Sequence, residues 1–194
     1  MSAAAFDRYT PEEYLALDRN AEFRSEYIDG RLVAMSGNSR PHSVTVSNLV
    51  RMFGNCFDGR PCEVYSNTMR VKVTPSRYVY PDVVAVCDEP KFEDREVDIL
   101  LNPGLVVEVL SPSTASYDRG DKFVHYRKID SLLEVLFIAQ DCVFIEHWRR
   151  QGDMWTLTEI TGVDDTLMLN SVGCAIPVQE IYSRLDVSEG PGNS

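Results

Sequence analysis

The run Leu105-Val106-Val107-Glu108-Val109-Leu110 constrains this chain more than any other segment. It is a nearly continuous apolar strand without polar alternation, so it reads as a central strand covered on both faces. A carboxylate in the middle of such a strand is costly unless it is paired or coordinates a cation. A Glu108 on a solvent face, or one paired with a core arginine, is the structural alternative. The missing alternation argues against the solvent face.

The rest of the chain supplies a frame for that strand. Thr10, Pro11 and Glu13 form a capping box opening a helix that runs to about Leu17. Strands at 26–28 and 32–35 flank Asp29-Gly30, a hairpin turn. Val46, Leu49, Val50, Phe53 and Phe57 recur at helical spacing and predict a helix over 40–57. Met69, Val71 and Val73 alternate with Arg70 and Lys72, predicting a strand with one buried and one basic face. A β-rich run over 78–86 is broken by Pro81-Asp82. A helix over 118–128, a buried strand over 133–139, a hairpin from 143–148 to 154–160 across 149–153, and a short helix over 178–185 complete the pattern. The fold class is α/β in the broad sense (α+β), a mixed β-sheet core flanked by helices. One domain over 1–187 and a flexible Gly-, Pro-, Ser- and Asn-rich tail over 188–194 are expected.

With 194 residues, 44% apolar and 25% charged, the chain has ordinary globular composition. No apolar run approaches the roughly 20 residues that cross a bilayer, so no membrane partner is expected. The start, 1–8, lacks a secretory pattern. Five scattered cysteines with no C-x-x-C spacing argue against zinc and against a disulfide framework. They read as buried hydrophobes of a reducing, cytoplasmic compartment. The net charge of −11 argues against nonspecific coating of nucleic acid, but not against a local basic groove. Arg70, Lys72 and Arg77 with no acid between Ser66 and Tyr80, and four Lys/Arg against two Asp between Tyr117 and Lys128, mark two basic segments.

Asp82 repeats the Glu108 pattern. It follows Tyr-Val-Tyr-Pro and precedes Val-Val-Ala-Val, where Pro81 can place a bulge that re-aims the next side chain; a plain Pro-Asp turn is the alternative. Two acids in two core strands converge if those strands are neighbours. With water they then make the oxygen-rich octahedral site that Mg²⁺ or Mn²⁺ prefers. Lys122 lies on the helix after the Glu108 strand, with Asp118 and Tyr126 one turn away on the same face. There it would orient a water or offset charge on a phosphate, unless it belongs to an ordinary solvated face. His42, at a helix start near the apolar stripe, is a neighbour of the site or a satisfied structural residue.

Longer stretches carry a family resemblance. Glu26-Tyr27-Ile28-Asp29-Gly30, His42 opening a helix, Tyr80-Pro81-Asp82-Val83-Val84, Glu108-Val109-Leu110-Ser111-Pro112-Ser113-Thr114, and Asp118-Arg119-Gly120-Asp121-Lys122-Phe123 with Tyr126 resemble the Uma family of endonucleases. That family sits within the restriction-endonuclease-like PD-(D/E)XK nuclease superfamily, and the likeness spans about Tyr9 to Leu185. It implies that Asp82 and Glu108 are metal ligands, that the Val109 carbonyl adds a third, and that Glu26 contacts metal through water or holds Lys122. The superfamily's usual lysine position is Leu110 here, and the next helix supplies Lys122 instead. The strand after that helix ends Ala139-Gln140, where relatives commonly carry Val-Asp.

Three activities follow as expectations. The first is a Mg²⁺- or Mn²⁺-dependent endonuclease acting on nucleic acid, DNA above all. Arg70, Lys72, Arg119 and Lys128 would track the backbone, and a homodimer suits double-strand cutting. The second is a catalytically inactive binding or regulatory protein on the same fold. The third is a hydrolase of smaller phosphoesters.

Overall fold

The computed structural model describes residues 8–35, 37–111 and 115–190. The motif positions 112–114, the first seven residues and positions 191–194 of the expected tail lie outside them. Helix α1 (Pro11–Asn20) opens with the full capping box of Thr10 and Glu13. The hairpin β1 (Ser25–Ile28) and β2 (Arg31–Ala34) turns through Asp29 and Gly30, both at positive φ of 49° and 90°. That pair of left-handed residues is what a two-residue turn between twisted strands requires. Helix α2 (Arg40–Phe57) is capped by Ser39, whose side chain accepts from the His42 amide.

The strands then divide between two larger sheets. A six-stranded sheet has the order β11-β10-β9-β8-β6-β3, built from β3 (Glu63–Ser66), β6 (Val83–Val86), β8 (Leu105–Leu110), β9 (Glu134–Ala139), β10 (Ile145–Gln151) and β11 (Met154–Ile160). Only β8 and β9 in it run parallel. A five-stranded sheet orders β2-β1-β5-β4-β7, adding β4 (Arg70–Thr74), β5 (Arg77–Val79) and β7 (Ile99–Leu100). The hairpin β12 (Thr166–Leu169) and β13 (Cys174–Pro177) and the short helix α5 (Val178–Ile181) close the far side. Pro81-Asp82 therefore marks the point where the chain leaves one sheet for the other.

The central strand behaves as its sequence demands, with all six residues of β8 buried. Leu105, Val107 and Val109 pack with α2 and the β12–β13 hairpin, while Val106 and Leu110 pack with Phe123, Tyr126 and β4–β5. Glu108 shares the second face by strand alternation.

Several expectations need correction. The helix read over 118–128 is instead three consecutive turns: α3 (Ala115–Tyr117), a π-helical turn (Asp118–Lys122) and α4 (Phe123–Tyr126). The helix read over 178–185 ends at Ile181. Arg70 does not lie on a solvent-facing basic side of β4, because α1 and the acidic loop before β7 cover it; it is 4% exposed. The second hairpin turns in two residues, Gly152 and Asp153, since β10 extends through the three residues before them. Ser188 is no free tail residue, because its backbone pairs with Asp141 and Val143.

The cysteine reading is overturned. Cys56 bonds Cys174 and Cys62 bonds Cys87, leaving Cys142 free. Cys62 and Cys87 flank the Glu63–Val86 pair of β3 and β6, so the ladder sets them directly opposite each other. Sequence spacing cannot show that, since each pair forms only through tertiary neighbours. The argument for a reducing compartment loses its basis with it. Among the described residues, no helix is long and apolar enough to cross a membrane.

Candidate active site

Register brings the two acids together. Val83 pairs with Val107 across the antiparallel β6–β8 ladder, so one step outward Asp82 stands opposite Glu108. Directly opposed residues share one face of a sheet, a few ångströms apart. Both line one cavity of about 170 Å³, together with Glu26, His42, Tyr117 and Lys122. Asp82 and Glu108 are 9% and 3% exposed.

Each acid is held from its own side. Asp82 Oδ2 accepts from the Val109 amide at 2.8 Å and lies 3.0 Å from His42 Nε2. Glu108 Oε1 accepts from Tyr126 Oη at 2.5 Å and from Lys122 Nζ at 3.1 Å. Among the described residues these bonds fall on one oxygen of each carboxylate, which leaves Asp82 Oδ1 and Glu108 Oε2 with lone pairs to give. Burial pushes the Glu108 carboxyl up to about 8; Lys122 opposes this, and the Asp82 and Asp118 charges add to it.

Lys122 is ringed by acids. Its Nζ stands 3.2 Å from Glu26, 3.1 Å from Glu108 and 3.4 Å from Asp118. Burial disfavours its charge, but Glu108, Glu26 and Asp118 together hold its pKa well above the ordinary lysine value. It is therefore a fixed cation. The π-helical turn carries both Asp118 and Lys122 to the cavity, a local winding often found at functional positions. Glu26 enters from β1 in the other sheet and also accepts from the Tyr80 amide at 3.3 Å.

Charge in the cavity does not balance. Among the described residues, Glu26, Asp82, Glu108 and Asp118 are four acids against one ammonium and the His42 ring, and burial opposes the ionisation of Glu108. Among the described residues, no three His, Cys, Asp or Glu side chains stand where they could jointly hold a metal ion. Among the described residues, the donor set is two opposed carboxylates, each with one oxygen not engaged, plus backbone. That suits Mg²⁺, which usually takes one or two carboxylates and completes its shell with water and substrate phosphate.

The structure thus brings Asp82, Glu108, Val109, Lys122, Glu26, His42 and Tyr126 into one place. It does not bring Arg70, Lys72, Arg119 or Lys128 to it: none of the four lines the cavity. Arg70 is bound to Asp18 and Asp98, Lys72 to Glu93, and Arg119 to Glu146. Tyr117 and Asn38 also line the cavity, and nothing in the sequence but their place beside Asp118 and His42 could have marked them.

Known proteins resemble this chain. Residues 11–179 match the model of the Uma2 family, described as "Putative restriction endonuclease". Two uncharacterized proteins of Synechocystis sp. are similar: one is 39% identical over 155 residues, covering 79% of this chain and 88% of its own. The other is 35% identical over 184 residues, covering 94% and 96%. A crystal structure from Anabaena variabilis, of a "putative nuclease belonging to DUF820", matches with a TM-score of 0.75 at 19% identity. That match covers 90% of this chain and 98% of that one, and the likeness is one of fold.

Proposed function

The chain belongs to the Uma2 family, and on that premise we propose that it is a metal-dependent endonuclease that hydrolyses phosphodiester bonds in nucleic acid, with DNA as its substrate. The observation that carries the reading is the opposition of Asp82 and Glu108 across neighbouring strands, with Lys122 beside them in one cavity.

Asp82 and Glu108 would hold Mg²⁺ or Mn²⁺, with the Val109 carbonyl as a third oxygen. When bound, the cation supplies Lewis acidity toward a phosphate and a water of lowered pKa. The protein's own residues do the positioning. The Val109 amide and His42 fix the Asp82 carboxylate, while Tyr126 and Lys122 fix Glu108. Glu26 and Asp118 hold Lys122 in place. Since its proton is held by three carboxylates, Lys122 serves as a positive charge beside the phosphate and not as a general base.

The test is cleavage of supercoiled plasmid and of single-stranded DNA with Mg²⁺ or Mn²⁺. Asp82→Ala is expected to lower the rate by on the order of 100- to 1000-fold, the cost of removing one group that stabilises transition-state charge. Wild-type behaviour indistinguishable from Asp82→Ala at every metal concentration sinks the reading.

A further inference from the structure

The cations most visible in the sequence are spent on acids: Arg70, Lys72, Arg77 and Arg119 all sit in ion pairs. A second set, apart from one exposed pair, is not. Arg40, the first residue of α2, is exposed, and its guanidinium donates to the backbone carbonyl of Arg184 at 3.3 Å. Arg184 follows α5, whose end is tied to α2 by Asn48 donating to the Ile181 and Ser183 carbonyls, both at 3.0 Å. Arg51 lines one cavity with Arg184. Among the described residues, neither Arg40 nor Arg184 meets a carboxylate. Arg51 meets Glu180 at 3.0 Å, but both side chains are about half exposed, at 50% and 46%. Such a pair is weak in water and open to exchange for a phosphate.

Arg51 and Arg184 are continuous with the acidic cavity, and Arg40 joins them through its bond to the Arg184 carbonyl. A second cavity, of about 530 Å³, shares Asn38 and His42 with it. A third, of about 490 Å³, shares Ser47 and Arg51 with the second. The ridge joining them is the outer face of α2, where Ser43, Ser47 and Arg51 recur every fourth residue and are all exposed. At the junction His42 is 6% exposed, and its Nδ1 has no hydrogen-bond partner among the described residues. From His42 to Arg51 the helix advances about 13.5 Å at 1.5 Å per residue, the axial length of about four nucleotide steps at 3.4 Å each. A ligand that touches both ends is a polymer and not a mononucleotide.

Resting on the nuclease reading, we infer that the catalytic cleft continues along α2, and that Arg40, Arg51 and Arg184 hold backbone phosphates of a polynucleotide away from the scissile bond. Arginine suits this role, since its planar fork matches phosphate oxygens and keeps its charge. These phosphate contacts position the strand and carry no sequence preference.

Binding of fluorescent single-stranded and duplex oligonucleotides, read by anisotropy in chelator across a salt series, tests the inference without any need for catalysis. Removing one arginine–phosphate ion pair flattens the slope of log K against log salt by about 0.9 for duplex and 0.7 for single strand. The triple variant Arg40→Gln, Arg51→Gln, Arg184→Gln is expected to lose about 2 to 3 from the duplex slope. The corresponding triple lysine variant should keep the slope. Arg95→Gln, at an exposed position that lines none of the three cavities, should change nothing. Hydrolysis of bis(p-nitrophenyl) phosphate, too small to reach α2's far end, should be equal in wild type and the triple glutamine variant. An unchanged slope in the glutamine variant, a slope reduced equally in the lysine variant, or wild type that binds neither oligonucleotide overturns the inference. Failure of wild type to cleave would strike the nuclease reading, while the anisotropy result would still decide the phosphate track.

Discussion

Asp18 and Glu108 are both carboxylates sealed from water, at 7% and 3% exposed, yet the molecule treats them differently. Asp18 receives Arg70 through two nitrogens at 2.8 and 3.2 Å, Tyr80 Oη at 2.6 Å and the Ser25 amide at 2.7 Å. Arg70 reaches on to Asp98, which Arg19 holds from outside. Acid and base alternate there, and the buried charges answer one another. Around Glu108, among the described residues, three carboxylates share Lys122 and a fourth, Asp82, meets the His42 ring and the Val109 amide. Burying an excess of one sign is costly, and folding alone gives no return for it. The balanced cluster joins α1 to β4 and explains itself as structure. The unbalanced one lines a cavity, and under the proposed function a cation would sit there.

The comparison breaks most visibly through single charges. Arg70→Ala leaves Asp18 buried without its partner, and should cost about 3–5 kcal/mol, a fall in Tm of roughly 10 °C or more. Glu108→Gln replaces a buried acid whose ionisation burial already opposes with a neutral group of the same shape, so calorimetry should show Tm unchanged or raised by a few degrees. A large fall in Tm for Glu108→Gln would mean that both clusters are structural.

Metal addition sharpens the same contrast. Mg²⁺ or Mn²⁺ near 100-fold its Kd should stabilise wild type by about 2.7 kcal/mol, seen as a rise in Tm. Asp82→Asn should lose that rise, and Asp18→Asn should keep it on a lower baseline. Equal metal shifts in wild type and Asp82→Asn would remove the cation from the cavity.

The smallest effect concerns a third buried acid. Glu134 accepts from His147 at 3.0 Å, from the Ser171 amide at 3.0 Å and from the Ser171 hydroxyl. Burial raises its carboxyl, but the His147 and Ser171 hydrogen bonds outweigh it and hold the pKa below the ordinary glutamate value. The folded-state pKa is thus depressed. The stabilisation is present above the ordinary value and is lost as pH falls through the folded one. Denaturant titrations should show wild type losing about 1–2 kcal/mol more than Glu134→Gln between neutral and acid pH. Parallel pH profiles for the two proteins would place Glu134 outside the satisfied class.

Local signals carry far because their physics is local. The capping box of Thr10 and Glu13, the Asp29-Gly30 turn, the α2 stripe and the apolar β8 run are each contained within a few residues, and the structure forms all of them. Arg70 is the opposite case. Alternation along β4 tells which side a residue faces, but not what covers that side, and α1 covers it with Asp18. The Arg40–Arg51–Arg184 cluster is invisible in the sequence, since its members lie up to 144 positions apart and no short segment brings all three together.

By itself the sequence determined that an acid would be buried in a central strand, because five apolar neighbours left Glu108 no face of its own in water. It also marked Asp82, by placing it after a proline that stops one strand and before four residues that start another. Tertiary structure alone decided that the two meet. The β6–β8 register sets position 82 opposite 108, a shift of one residue would have turned them to opposite faces, and no local pattern encodes a register between strands that pair across a long loop. The neighbouring β3–β6 ladder made a disulfide of Cys62 and Cys87, and tertiary packing set Lys122 among the acids of the cavity.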